Sequence, residues 1–315
     1  MKNIIDYRNK ILVTGGAGNV GSSLAEKLIS NENNYVVIVD DLTTGKAEKL
    51  PSFALNARFI KADVNNYNEI AAIMLAFRFD YVFHYAAVVG VQRTLNNPVK
   101  VLEDINGIKN ILELSKNTGV KRVFYSSSSE VYGEPVEFPQ NEDTTPLNSK
   151  LPYAIVKNVG EAFLRSYQRE YNLDFTIFRF FNTYGPRQSD DFVIAKFIKR
   201  ALKNEDITIY GDGSQTRTFC YINDNIEATV AAFEKDMFVN DTINIGNNNE
   251  TSILDLAKTV IRLTGSKSEI VHLPALTEGD MTRRLPDISK MKVLLGRELT
   301  SLEQGIINIL QTGLF

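Results

Sequence analysis

The chain has 315 residues, of which 43% are hydrophobic and 23% are charged, and its formal net charge at pH 7 is -3. This composition is typical of a soluble globular protein with room for one large domain or two ordinary ones. A weakly acidic chain does not favour nucleic acid or an anionic membrane as its partner. With one cysteine and two histidines, the chain has no disulfide framework, and we expect no metal site.

The sequence contains no segment that predicts membrane insertion or secretion. No apolar run reaches the ~18 residues that a spanning helix needs. The first ten residues, MKNIIDYRNK, lack the apolar core of a secretory signal. We therefore expect a cytoplasmic protein.

A glycine-rich turn follows the first predicted strand. This strand covers residues 10–14, and three glycines at a spacing of three lead into a predicted helix at 22–29. Such a turn brings backbone close to a pyrophosphate and points the N–H groups of a helix N-terminus at the anion. The residues of the turn predicted to bind a dinucleotide are Gly15, Gly18, Asn19, Val20 and Gly21.

Acidic residues end the second predicted strand, at residues 35–39. Asp40 and Asp41 follow the glycines by about twenty residues, where a carboxylate accepts hydrogen bonds from the adenosine ribose. A carboxylate there disfavours a 2′-phosphate, so the pattern favours NAD over NADP. In the alternative interpretation, Asp40 only caps the following turn.

Two further predicted strands also end in candidate cofactor residues. Residues 57–62 lead to Asp63 and Val64, which are placed to contact the adenine edge. Residues 81–84 lead to Ala86 and Ala87, whose small side chains allow a close approach of the backbone to the cofactor. The candidates therefore collect at the carboxyl ends of successive strands.

The alternation of strands and helices continues to about residue 180. A helix is predicted at 98–118, a strand at 122–125 that delivers a run of four serines, a helix at 153–171 and a strand at 175–179. This order predicts an α/β Rossmann fold with a doubly wound parallel sheet and its ligand site at the strand carboxyl ends.

The pattern changes after residue 180. Short helices are predicted at 192–202, 252–263 and 302–310, and short strands at 207–210, 242–245 and 269–273. We predict a dinucleotide-binding domain over residues 1–180, to which the chain returns around 221–245, and a smaller mixed α/β substrate lobe over 181–315. A cleft between the two lobes would hold the ligands.

Tyr153 and Lys157 lie one helical turn apart and can present a phenol and an ammonium group to one point. A phenol of pKa ~10 is a poor base at neutral pH, but a nearby positive charge lowers its pKa. Ser128 could hydrogen-bond to the same substrate oxygen. This spacing alone is also common on solvated helix faces, so the prediction depends on the other motifs.

Taken together, these motifs resemble the extended short-chain dehydrogenase/reductase family, in its branch of NAD-dependent nucleotide-sugar epimerases and dehydratases. The resemblance covers almost the whole chain. The matching blocks are TGGAGNVG at 14–21, DDLTTGK at 40–46, HYAA at 84–87, SSSSEVYGE at 126–134, YAIVK at 153–157, RFFNTYGPRQ at 179–188, IYGDGSQTRTFCYIND at 209–224 and RRLPDISK at 283–290.

The resemblance implies oxidation at C4 of a nucleoside-diphosphate sugar. Tyr153 would take the proton of the C4 hydroxyl, Ser128 would hydrogen-bond to that oxygen, and Lys157 would hold the nicotinamide ribose. The residues implied to bind substrate are Ser128, Ser129, Tyr153, Asn182, Arg187, Arg217 and Arg284. In this family the helices that correspond to 98–118 and 153–171 commonly pair across a two-fold axis, which implies a homodimer.

Three positions depart from the pattern of the family's 4-epimerases or of its other enzymes. Glu130 replaces a small residue usual in 4-epimerases and is similar to the base near C5 of decarboxylases and 4,6-dehydratases. Thr277 stands where many epimerases have an arginine for the diphosphate, a charge that Arg284 could supply. Ser128 replaces a threonine usual in dehydratases and decarboxylases, and therefore favours an epimerase.

We predict a sugar-nucleotide 4-epimerase. The alternatives are a 4-dehydrogenase that releases the 4-keto sugar, a uronate decarboxylase and a 4,6-dehydratase. Ser129 stands where many dehydratases have an aspartate, which disfavours the last of these. A catalytically inactive sensor of NAD or a sugar nucleotide is the alternative outside enzymes.

Overall fold

The computed structural model describes residues 7–52, 54–274 and 283–314. Thr277 lies outside these ranges. The strands are β1 (Asn9–Thr14), β2 (Asn34–Asp40), β3 (Ala57–Lys61), β4 (Tyr81–His84), β5 (Arg122–Ser128), β6 (Asp174–Phe180), β7 (Thr183–Tyr184), β8 (Ile207–Tyr210), β9 (Thr216–Thr218), β10 (Cys220–Tyr221), β11 (Asp241–Ile245), β12 (Glu250–Ser252) and β13 (Ile270–Leu273). The α-helices are α1 (Asn19–Ile29), α2 (Tyr67–Phe77), α3 (Val91–Asn96), α4 (Pro98–Thr118), α5 (Pro152–Tyr171), α6 (Val193–Leu202), α7 (Ile222–Glu234), α8 (Ile253–Thr264), α9 (Ser289–Leu295) and α10 (Leu302–Thr312).

Seven strands form one parallel sheet in the order β11-β6-β5-β4-β1-β2-β3. The order reverses between β1 and β4, and in doubly wound sheets ligands bind outside the strand carboxyl ends at that point. The predicted Rossmann-like α/β fold is confirmed.

The central strands are continuous apolar runs because both faces of the sheet are covered. One face packs against α1 and α7, and the other packs against α2, α4 and α5. Residues Ile11 to Val13 of β1 and Val36 to Val39 of β2 are fully buried between these layers. Their carboxyl ends are therefore fixed in place by the core.

Among the elements that differ from the sequence predictions are β5 and α7. Strand β5 extends through Ser128, so three of the four serines are part of the strand itself. Helix α7 was not predicted, because its buried face carries polar residues such as Asp224 and Asn225, which obscure the apolar periodicity. Asp224 is held by the backbone N–H of Thr300 at 2.8 Å and by its hydroxyl at 2.9 Å.

Helix α7 leads to β11, which pairs with β6 at the edge of the main sheet. The remaining strands form three small pairs: β7 with β10, β8 with β13, and β9 with β12. The proposed division of the chain at residue 180 stays a prediction.

Within the described ranges, no helix has both the length and the apolar character that a membrane crossing requires. The compartment of the protein stays a prediction.

Candidate functional site

A cavity of about 590 Å³ opens at the carboxyl ends of the strands. Its walls come from the glycine turn, the ends of β2 to β5, the start of α5 and the segment after β6. The predicted site residues that line it are Gly15, Gly18, Asn19, Val20, Gly21, Asp40, Asp41, Asp63, Val64, Ala86, Ala87, Ser128, Ser129, Glu130, Tyr153, Lys157, Asn182 and Arg284.

Two glycines of the turn, Gly15 and Gly21, have no room for a side chain. Gly15 has a φ of +70°, and a Cβ added to it would lie 2.6 Å from the Ala86 nitrogen. A Cβ on Gly21 would lie 2.2 Å from the Gly15 oxygen. Gly18 is the N-cap of α1 without a side-chain cap, so the first turn of that helix faces the cavity through backbone N–H groups. This cradle fits the pyrophosphate of a dinucleotide.

Asp40 both holds the glycine turn and reaches the cavity. Its Oδ2 accepts from the Ala17 nitrogen at 2.9 Å and its Oδ1 from the Leu42 nitrogen at 2.8 Å. Burial raises the pKa of the Asp40 carboxyl, while these two hydrogen bonds act in the opposite direction. Asp41 is exposed and accepts from Thr43. The predicted ribose contact of these carboxylates stays a prediction.

Lys157 is a buried ammonium group at the other end of the cavity. Its side chain on α5 donates to the Ser126 carbonyl at 2.6 Å, and the residue is 3% exposed. Its Nζ lies 5.7 Å from the centre of the Tyr153 ring. Burial lowers the pKa of Lys157 to about 8, and the negative charge of Asp104 acts in the opposite direction.

The environment of the Tyr153 phenol differs from the sequence expectation. Burial and the Glu130 carboxylate hold its pKa above the ordinary value, while the Ser128 hydroxyl and Arg284 act in the opposite direction. We expected a pKa lowered by Lys157, but desolvation dominates because the phenol is removed from water. The protein groups alone therefore favour a neutral phenol.

Glu130 and Arg284 form an ion pair in the wall of the cavity. Arg284 Nη2 lies 3.3 Å from Glu130 Oε1, with side-chain exposures of 10% and 23%. Arg284 Nη1 donates to the Ser129 hydroxyl at 3.2 Å. The fold thus joins three residues that the sequence analysis had selected separately, and places a guanidinium group beside the Tyr153 end of the cavity.

Of the other three residues predicted to bind substrate, one lines the cavity and two do not. Asn182 lines the cavity, and its side-chain amide donates to the Thr218 carbonyl at 3.0 Å. Arg187 and Arg217 are not among the residues that line the cavity. The Arg187 backbone nitrogen donates to Leu314, and Arg217 Nη1 donates to the Thr216 carbonyl at 2.7 Å. Their contact with substrate stays a prediction.

The sequence analysis missed Asp104, a carboxylate in the wall of the cavity. Its Oδ2 accepts from the Val88 nitrogen at 2.7 Å, and burial raises its pKa. A signal was available, because Asp104 lies three residues after Val101 and four before Ile108, on the buried face of α4. An acidic residue on such a face needs a local partner or a function.

Comparison with known proteins agrees with this geometry. The sequence pattern of the NAD dependent epimerase/dehydratase family matches residues 11–246. UDP-glucuronic acid decarboxylase 6 of Arabidopsis thaliana is 37% identical over 298 residues, which cover 92% of this chain and 84% of the relative. A putative UDP-glucose 4-epimerase of Methanocaldococcus jannaschii is 38% identical over 303 residues, which cover 94% of this chain and 95% of the relative.

Solved structures show the same relationship. The UDP-glucose 4-epimerase of Thermotoga maritima, solved with UDP-glucose, superposes with a TM-score of 0.90 at 35% identity, covering 97% of this chain and all of the other. The chain therefore belongs to the NAD-dependent epimerase/dehydratase family, and it is an enzyme whose cofactor is NAD.

Proposed function

We propose that the protein oxidises the C4 hydroxyl of a nucleoside-diphosphate sugar. The observation that carries this proposal is that one cavity joins the glycine turn to Ser128, Tyr153 and Lys157. Bound along the glycine turn, NAD supplies the acceptor for the C4 hydride. Ser128 orients the substrate oxygen, and Tyr153 accepts its proton. The UDP-sugar enzymes among the relatives support this substrate class.

Tyr153 needs positive charge near it to act as a base. Its phenol is held neutral by burial and by Glu130, so proton transfer requires cations that favour the phenolate. Lys157 and Arg284 are two such cations in the wall of the cavity. A general base of this kind contributes about 10²–10⁴-fold to the rate.

For the 4-keto intermediate we propose loss of CO2 from C6, which makes the substrate a uronate. A C4 ketone is β to the C6 carboxylate, so the electrons of the C5–C6 bond move into the ketone as CO2 leaves. Arg284 lies beside Ser129 in the cavity wall, and its guanidinium group suits that carboxylate because it can bind both oxygens. C5 would then take a proton, and the reduced cofactor would supply the hydride that restores C4. The curated decarboxylases support this candidate.

The 4-epimerase predicted from the sequence is the second candidate. It is supported by the likeness to the Thermotoga maritima epimerase over the full length of both chains. In that reaction the 4-keto sugar would rotate within the cavity and accept hydride on its other face. The C5–C6 bond would not break.

Product mass separates all of these reactions. The protein is incubated with NAD and a panel of UDP-, GDP-, dTDP- and CDP-sugars, including uronates. Loss of CO2 supports the decarboxylase, and unchanged mass with a new sugar spectrum supports the epimerase. Loss of two hydrogens identifies a dehydrogenase, and loss of water identifies a dehydratase. Binding of NAD or sugar nucleotide without any product supports the sensor and contradicts the proposal.

Two neighbouring arginines provide a matched pair for the carboxylate contact. Arg284→Gln should raise KM for a uronate at least about tenfold, because one charged hydrogen bond is worth roughly 1.5–3 kcal/mol. Arg283 forms an exposed ion pair with Glu250 and does not line the cavity, so Arg283→Gln should behave like the wild type. Equal effects of both changes would contradict the assignment.

We also propose a homodimer that forms through the outer faces of α4 and α5. Val99 and Leu102 on α4 and Ile155 on α5 are 72%, 40% and 40% exposed in the single chain, and apolar side chains of this size favour burial. Sedimentation of the wild type should give twice the chain mass of 35.4 kDa, and Leu102→Glu should give the monomer. A monomeric wild type would remove this proposal.

A further inference from the structure

Behind the cavity lies a buried ion pair that the proposed reaction does not use. Arg179 on β6 donates from Nε to Glu161 Oε1 at 2.9 Å and from Nη2 to Glu161 Oε2 at 2.7 Å. Both side chains are 2% exposed. Glu161 also accepts from the Ser127 hydroxyl at 2.6 Å. The pair therefore joins β5, α5 and β6 through short hydrogen bonds.

The same arginine continues the network towards the C-terminal segment. Arg179 Nη1 donates to the Tyr132 hydroxyl at 2.8 Å, and that hydroxyl donates to Asn244 Oδ1 at 2.8 Å. Asn244 Nδ2 donates to the carbonyls of Gln140 at 2.9 Å and Asp287 at 3.3 Å. Tyr132 and Asn244 are fully buried.

Each end of this network lies beside a residue of the reaction. Ser127 precedes Ser128, and Glu161 lies one helical turn after Lys157 on α5. Tyr132 ends the short 3₁₀ helix Ser129–Tyr132, which carries Glu130.

The segment that carries Arg284 is tied to the same network. The Gln140 nitrogen donates to the Leu285 carbonyl at 2.7 Å, and the Asp287 nitrogen donates to the Gln140 carbonyl at 2.8 Å. Because Asn244 Nδ2 bonds to both Gln140 and Asp287, the network fixes the backbone on both sides of this junction. The segments that carry Glu130 and Arg284 are thus joined by one hydrogen-bonded network.

A purely packing role would not require these charges. A buried ion pair is costly to desolvate, and apolar residues of the same volume often serve stability as well. A fully satisfied polar network, in contrast, fixes the relative position of the segments that it joins. Glu161, Arg179, Tyr132 and Asn244 are not among the residues that line the cavity, so any effect on the reaction passes through other side chains.

We propose that Glu161, Arg179 and Tyr132 are positioning residues that hold Glu130 and Arg284 in register with Tyr153. The network thereby controls what happens to the 4-keto sugar after oxidation. This inference rests on the proposed function, and it predicts a change in product partition without a change in NAD binding.

Tyr132→Phe is the sharpest test, because it keeps the ring and removes only the hydroxyl that joins Arg179 to Asn244. We expect kcat for the complete reaction to fall about 10- to 100-fold, since small misplacements of reacting groups have effects of this size. We expect the Kd of NAD to stay within about twofold of the wild type, and KM for the sugar nucleotide to rise less than in Arg284→Gln, which removes the guanidinium group itself. The share of product released as the 4-keto sugar, with NADH left on the enzyme, should rise.

Tyr167→Phe is the matched control. Tyr167 lies on α5, the same helix as Glu161, and its hydroxyl donates to Glu113 on α4 at 3.2 Å. Tyr167 does not line the cavity. This change should leave kcat and product partition at the wild-type values. Asn244→Ser serves as a second variant of the network, and it should shift the partition in the same direction as Tyr132→Phe.

The possible outcomes separate the inference from the proposed function. A wild type that turns over no sugar nucleotide removes both. An active wild type whose Tyr132→Phe and Asn244→Ser variants keep its kcat and its product partition removes the inference alone. Variants with a lower Tm that lose NAD binding and kcat in parallel, without a shift in partition, show a merely structural network and also overturn it.

Discussion

The two ends of the cavity are built in different ways. At the end proposed to bind the cofactor, hereafter the cofactor end, the glycine turn and the strand ends bring backbone and small residues to the surface, such as Gly15, Gly21 and Ala86. At the end proposed to bind the sugar, hereafter the sugar end, charged side chains of Glu130, Lys157 and Arg284 come from three separate segments of the chain. The shape of the cofactor end is kept by glycines at positions where a side chain would collide with backbone. The electrostatics of the sugar end are set by which charged side chains pair with each other.

We therefore expect the glycine turn to govern NAD binding and the charged side chains to govern which reaction follows. Backbone N–H groups and glycines bind a pyrophosphate in any member of a family, whatever the substrate. The outcome for the substrate depends on which charged groups face it and on how they are held. Changes at the two ends should therefore produce different kinds of defect, and the predictions below begin with the largest expected loss of activity at neutral pH.

Tyr153→Phe should give the largest loss while leaving the cofactor end intact. The change removes the proposed proton acceptor, so we expect kcat to fall about 10²–10⁴-fold. The Kd of NAD should stay near the wild-type value, because the glycine turn is unchanged. Steady-state assays with NAD and the substrate identified by product mass measure kcat, and calorimetric titration with NAD measures its Kd.

Tyr167→Phe is again the control for Tyr153→Phe, since it removes a hydroxyl from the same helix outside the cavity wall. Near-normal turnover of Tyr153→Phe would remove this tyrosine from the role of base. A parallel loss of NAD binding would show that the two ends of the cavity are not independent.

Gly21→Ala should give the opposite defect. The new Cβ would lie 2.2 Å from the Gly15 oxygen, and both groups belong to rigid backbone. Overpacking of this kind costs about 1–3 kcal/mol, which corresponds to a NAD affinity about 5- to 150-fold lower. At saturating NAD, kcat should recover, because the sugar end is untouched.

Ser23→Ala is a suitable control for Gly21→Ala, because it lies on α1 but does not line the cavity. It should keep the wild-type Kd for NAD. Unchanged NAD affinity in Gly21→Ala would contradict the proposed cradle, and a kcat that stays low at saturating NAD would contradict the separation of the two ends.

The contrast between the two ends of the cavity also explains which parts of the site could be predicted from the sequence. The cofactor end follows local patterns, since glycine spacing and an acidic strand end lie within about thirty residues, and the fold follows from the alternation of apolar strands and helices. At the sugar end the resemblance to the family gave the residues, but the pairing of Glu130 with Arg284 required the structure, because the two are 154 residues apart and no local pattern connects them. The raised pKa of Tyr153 was also missed, since desolvation depends on tertiary packing.

The pH dependence of kcat should report on Lys157. Its ammonium form is needed to favour the phenolate of Tyr153, and burial lowers the pKa of Lys157 to about 8. The lysine is charged below this pH and loses its proton above it, so activity should fall on the alkaline side with a midpoint near pH 8. Initial rates at saturating substrate between pH 6 and about pH 10 measure this limb.

Asp104→Asn tests whether Lys157 is the group that sets the alkaline limb of the pH profile. The Asp104 carboxylate raises the pKa of Lys157, so its neutralisation should lower that pKa further and move the alkaline limb to a lower pH. The other groups near Lys157 include the Ser126 carbonyl and hydroxyl, the rings of Tyr125 and Tyr153, and the buried His84. A limb that stays in place, or moves to a higher pH, would contradict this electrostatic coupling.

His84 lies in the core beneath the cavity, and its substitution should affect stability rather than catalysis at neutral pH. The ring is 2% exposed, and its Nδ1 lies within hydrogen-bonding distance of the Thr14 hydroxyl oxygen, at 2.8 Å. That hydroxyl oxygen in turn faces the N–H groups of Tyr85 and Ala86. Burial, with a smaller contribution from the charge of Lys157, lowers the pKa of His84 to about 3.

Because the folded pKa lies below the ordinary value of 6.5, the neutral ring stabilises the fold fully above pH 6.5. As the pH falls from 6.5 to about 3, the unfolded chain takes up a proton that the folded protein does not. The free energy of unfolding should therefore decrease over this window by an amount on the order of 4 kcal/mol. His84→Asn should lose less stability on acidification than the wild type does, as measured by urea unfolding at pH 7, 5.5 and 4.5. Parallel pH dependences of the two proteins would show that His84 is not the group that titrates, whereas a large loss of kcat at pH 7 would place it in the reaction instead of the core.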